Sequence, residues 1–173
     1  MQSPALYGRA VRIEFRGNLT VHRGQLLSAQ AKGTAVHAGS YLRQHLIVLD
    51  TALLADWQEL NRILVHELFH FAWVRLGNPK RRSYGSLLGV EYAAKARGEL
   101  GWSAEWRKNE LTNHDFQACT RRWRDYTVES FCDTAAHLYS GCQEHEEYTL
   151  AARWKKQRAR WFQGIFEGSG VLI

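Results

Sequence analysis

His66, Glu67 and His70 fall in the order H-E-x-x-H, a spacing that brings two imidazoles to one metal ion if the segment is helical. Positions i and i+4 of a helix lie one above the other on the same face. Both ring nitrogens then reach a single ion at a Zn–N distance of about 2.0–2.1 Å. Glu67, one position on, stands beside a metal-bound water without replacing it as a ligand. The chemistry implied is hydrolysis by an activated water, with Zn2+ as the expected cofactor.

Two histidines do not complete a catalytic zinc site, which needs three protein ligands and an open position. Extension to H-E-x-x-H-x-x-G-x-x-H fails, because Trp73 and Leu76 stand where the glycine and the third histidine belong, and no cysteine precedes His66. The remaining source is a carboxylate on a second helix. Glu129 and Asp133 are four apart and share a helical face, with Val128, Phe131, Ala135 and Leu138 on the other. Glu129 is then the third ligand, and Asp133 accepts the outer N–H of a ligating histidine and fixes its tautomer. A solvated acidic face would carry the same pair, and the H-E-x-x-H motif upstream tips the balance.

With these residues in place the chain resembles the gluzincin metallopeptidases, which pair H-E-x-x-H with E-x-x-x-D on a later helix. His66, Glu67, His70, Glu129 and Asp133 are the matching positions. The resemblance covers two segments, 57–77 and 126–141, and points to no particular family. It implies a zincin-like α+β fold: a small N-terminal sheet ending in the active-site helix, a mainly helical C-terminal lobe, and a cleft between them. It also implies hydrolysis of a peptide or protein substrate, with Glu67 as general base and then general acid. A Tyr or His normally helps to hold the oxyanion. Tyr126, one turn before Glu129, ranks first for that role and His137 second.

The elements that must position these residues are readable in outline. Val11, Ile13 and Phe15 alternate with Arg12, Glu14 and Arg16, the period of a half-buried strand. Gly17-Asn18 and Lys32-Gly33 suggest turns, 19–22, 25–31 and 34–37 are weaker strand candidates, and the apolar run 45–49 suits a strand paired on both sides. Residues 9–50 are therefore expected to form a small, mostly antiparallel sheet. Asp56 caps the next helix, with Glu59 suggesting a capping box, and Gly77 and Pro79 supply the stop. His66 and His70 fall in its middle. Lys80-Arg81-Arg82 and Tyr84-Gly85 read as a basic loop. Further helices are expected over 87–97, over 104–111 behind a Ser103 cap, from Asp115 through Trp123, over 127–140 ending at Gly141, and over 144–166. The whole chain, 1–173, reads as one domain whose two lobes meet near 77–80.

At 173 residues, 45% hydrophobic and 23% charged, the chain is long enough for one domain with its own core. Cys119, Cys132 and Cys142 are odd in number and lack C-x-x-C spacing, which argues for a reducing compartment over a disulfide framework. No apolar run reaches the roughly 18 residues of a membrane span, and no leader pattern opens the chain, so a cytoplasmic location is expected. The oligomeric state has no signature in the sequence. A net charge of +6 leaves room for nucleic acid, and the runs at 80–82, 121–124 and 154–158 interleave cations with aromatics. A second reading is thus a DNA-associated protease of the SprT type, with His114 as third ligand in place of Glu129. A third is a zinc-stabilised interaction module without turnover, against which the intact Glu67 argues. Cys132 reads as a buried small apolar residue, and His22, His37, His45 and His145 as surface or core residues.

Overall fold

The computed structural model describes residues 4–22, 25–28, 33–168 and 170–173. In chain order the elements are β1 (Leu6–Tyr7), β2 (Arg12–Arg16), β3 (Thr20–His22), β4 (Gln25–Leu27), β5 (Thr34–Ala35), β6 (Ala38–Tyr41), β7 (Leu46–Asp50), α1 (Trp57–Arg75), α2 (Asn78–Ala93), α3 (Trp102–Asn109), α4 (Asn113–Gln117), α5 (Arg121–Tyr139), α6 (Ala152–Phe166) and β8 (Val171–Leu172). The class is α+β, with all strands but β8 ahead of α1. No helix among the described residues is long and apolar enough to cross a membrane.

Ile47, Val48 and Leu49 are wholly buried, which places β7 at the centre of a sheet between β2 and β6. β2 runs parallel to β7 and β6 antiparallel to it. The expected single, mostly antiparallel sheet over 9–50 does not form. Its strands divide into β2-β7-β6 and β4-β3-β5, and β1 pairs in parallel with β8 from the far end of the chain. Alternation reports which face a side chain takes and says nothing about the partner strand, so the pairing sense was out of reach. β2 keeps its alternation without its burial: it is an edge strand, and Ile13 and Phe15 are each 42% exposed. Residues 29–32, part of one expected strand and turn, lie outside the described residues.

α1 begins as expected, with the Asp56 carboxylate accepting from the Gln58 and Glu59 N–H groups at 3.0 and 3.1 Å. The reciprocal half of the capping box is absent, because Glu59 turns to Arg62, which donates to it at 2.6 and 2.7 Å. Leu60 and Phe71 pack with Ile47 and Leu49, while Phe69 and Ala72 belong to a second cluster with Phe131 and Phe162. The helix is therefore wedged between the sheet and the helical part, and is buried on two sides.

The stop and the basic loop are corrected. Leu76 ends α1, Gly77 is the N-cap of α2, and Pro79 lies in the first turn of α2, where its missing N–H costs no hydrogen bond. Lys80, Arg81, Arg82 and Tyr84 are thus helical, and Arg81 folds back onto the carbonyls of Trp73 and Val74. α3 starts at Trp102 behind Gly101, and not after Ser103. The helix expected from Asp115 to Trp123 is split: α4 is capped by a Thr112/Asp115 box, Cys119 takes φ +46°, and α5 starts at Arg121. α5 does end at Gly141, whose φ is +81°. The acidic stretch 144–151 is not helical, and α6 begins at Ala152 and buries Trp154, Arg158, Phe162 and Phe166.

Candidate metal centre

α1 and α5 lie side by side and face each other across His66, His70, Glu129 and Asp133. The Nε2 atoms of His66 and His70 are 3.2 Å apart. Glu129 Oε2 lies 3.3 Å from His66 Nε2 and 4.0 Å from His70 Nε2. Donors held at 2.0–2.1 Å from one ion in tetrahedral geometry are about 3.3 Å from one another. Two of the three edges match this spacing, and the third needs a small closure at His70. The donor set therefore fits zinc.

His66 Nδ1 is 2.7 Å from Asp133 Oδ1. With Nδ1–H donating there, the Nε2 lone pair is left facing His70 and Glu129, the tautomer a metal ligand needs. The other oxygen of Asp133 accepts the Ala104 N–H at 3.0 Å, so the first turn of α3 holds this carboxylate against α1. Gly101 comes so close that a Cβ there would overlap the Asp133 carboxylate.

Burial disfavours charge at both members of the His66–Glu129 pair, and their neighbours outweigh it. The Glu129 carboxyl is pushed up by burial but held down at about 2 by the hydrogen bond to His66 and the charges of His70, His66 and Arg107. Burial likewise lowers the His66 imidazole, yet Asp133 and Glu129 hold it well above its ordinary value. The two carboxylates thus make the surroundings of His66 electronegative, and a metal ion binding there would displace the imidazole proton.

Arg107 is a member of the site that no spacing in the sequence announces. Its Nη2 is 3.4 Å from Glu129 Oε1, its Nη1 donates to the Ser103 carbonyl at 2.7 Å, and its guanidinium rests 4.4 Å from the centre of the Trp106 ring. Oε1 of Glu129 is thereby occupied, and Oε2 is the oxygen turned to the imidazoles. Ser40 is the other such member. It donates to Glu67 Oε2 at 2.5 Å from β6, a strand of unremarkable composition that the alternation does not mark. Beside Glu67 opens a cleft of about 400 Å³, walled by 34–38, by Ile63, His66 and Glu67 of α1, and by Trp102 and Ser103 of α3. Cys132 is buried as expected, but its sulfur and one ring nitrogen of each of His66 and His70 all lie within 4.8 Å of one another.

Three sequence candidates do not join the cluster. Tyr126 is wholly buried and its hydroxyl donates to Glu99 at 2.6 Å; burial and the Glu99 charge push that hydroxyl far above the usual tyrosine range. His137 packs edge-on against Tyr148, with ring centres 4.6 Å apart, and burial lowers it to about 4. His114 is exposed on α4. None of the three lines the cleft. Of the basic runs, Arg158 is spent inside the protein on Glu91 and Glu99. No protein-family model, curated protein or solved structure matches the chain.

Proposed function

We propose that this chain is a zinc-dependent metallopeptidase of the gluzincin type, with His66, His70 and Glu129 as ligands and Glu67 as general base. The supporting observation is the triangle of donors at 3.2, 3.3 and 4.0 Å, with its apex histidine hydrogen-bonded to Asp133. Zinc, when bound, lowers the pKa of water toward about 7 and polarises a carbonyl. Glu67 lines the cleft and takes the proton of the attacking water, then returns it to the leaving amine. Ser40 aims the Glu67 carboxylate, and Asp133 keeps His66 in its ligand tautomer. The edge of β6 away from β7 has no partner strand among the described residues, which suits an extended peptide adding to the sheet beside Glu67.

Zinc content and peptide cleavage, measured for the wild type and Glu67→Gln, test this reading. Both proteins are expected to hold one zinc per chain, with cleavage reduced about 10²–10⁴-fold in Glu67→Gln. Absence of zinc from both would end the proposal. Glu129→Ala should weaken zinc binding, and His114→Ala should leave it unchanged.

A further inference from the structure

Cys132 lies between Glu129 and Asp133 on the face of α5 that meets α1. Its thiol is wholly buried, and no hydrogen bond to it is found among the described residues. Its sulfur nevertheless lies within 4.8 Å of one ring nitrogen of each of His66 and His70. With Zn–S near 2.3 Å and Zn–N near 2.0–2.1 Å, a tetrahedral S···N separation is about 3.6 Å. The S···N separations thus exceed the ligand value by about 1.2 Å at most.

We propose that Cys132 is a fourth protein ligand, so that α5 offers a carboxylate and a thiolate to the imidazole pair of α1. The proposal rests on the metal reading above and extends its ligand set. On binding, the thiol proton is released to solvent and the sulfur bonds the ion as thiolate. The sulfur approaches from the buried side, whereas Glu67 lines the cleft. Cys132 does not line the cleft, so a bound ion would keep its access to water from that side, and zinc sites can expand to five donors. A thiolate also biases the centre toward thiophilic ions such as zinc and cadmium, and away from magnesium or manganese.

X-ray absorption at the zinc edge of the zinc-loaded full chain tests the ligand directly. A sulfur shell at about 2.3 Å beside nitrogen and oxygen at about 2.0–2.1 Å is expected in the wild type and should vanish in Cys132→Ser. The cobalt-substituted wild type should show a thiolate-to-metal charge-transfer band that Cys132→Ser and Cys132→Ala both lack. The zinc dissociation constant should rise by at least about 100-fold in either variant, because loss of an outer partner alone costs about 10–100-fold. A shell of nitrogen and oxygen alone around tightly bound zinc overturns the fourth ligand and leaves the His66–His70–Glu129 site standing. Failure of the wild type to bind zinc removes both. If the variants do not fold, the wild-type absorption shell decides alone.

Discussion

Asp133 receives hydrogen bonds from two directions, from His66 of α1 and from the Ala104 N–H of α3. It therefore transmits the position of α3 to the imidazole. Gly101→Ala should disturb that link first, because the added Cβ overlaps the Asp133 carboxylate. The expected result is a zinc dissociation constant raised about 10–100-fold, as for loss of an outer hydrogen-bond partner, read by chelator competition. Unchanged affinity would mean that the carboxylate only caps α3. Arg107 acts on Glu129, the proposed third ligand, by holding its Oε1. Arg107→Ala should weaken zinc about tenfold by freeing the carboxylate, and Arg107→Lys should recover part of the loss. Equal affinities in all three proteins would exclude this role.

Among the elements, α6 reaches the site indirectly. Arg158 is wholly buried, donates to Glu91 at 2.9 Å and to Glu99 at 2.7 Å, and so ties α6 to α2 and to the segment leading into Gly101. Glu99 in turn takes the Tyr126 hydroxyl of α5. This explains why Tyr126 fails as an oxyanion partner: one turn along the helix leaves it about 60° around the axis from Glu129, enough to point it at Glu99. Arg158→Leu strands the buried Glu91 carboxylate, leaves Glu99 with only Lys108 and the Tyr126 hydroxyl, and should cost about 3–5 kcal/mol, measurable by urea unfolding. A loss under about 1 kcal/mol would show that the network is dispensable.

For the molecule as a whole, the same network sets an acid limit. Burial pushes the Glu99 carboxyl up, but Arg158, Lys108 and the Tyr126 hydroxyl outweigh it and hold it at about 2, below its ordinary 4.5. A carboxyl depressed on folding adds stability above its unfolded value and loses it as pH falls toward the folded one. Stability should therefore decline between pH 4.5 and about 2, followed by tryptophan fluorescence in urea at a series of pH values. A flat profile across that window would contradict it. The sequence by itself determined what is local: the helical register that stacks His66 on His70 and Glu129 on Asp133, the Asp56 cap, the Gly141 stop and the buried run at the heart of the sheet. Each depends on residues a few positions apart, where periodicity and capping chemistry operate. Only the tertiary structure decided that α5 faces α1 closely enough to bring Glu129 to the histidines. It likewise brought Ser40, Arg107 and Ala104 to the site and turned Tyr126 and His137 away from it. The contacts that bring Glu129, Ser40, Arg107 and Ala104 there join residues from 22 (Arg107 to Glu129) to 63 (His66 to Glu129) positions apart in the chain, and their geometry comes from how the sheet and helices pack, which the spacing of residues along one element does not encode.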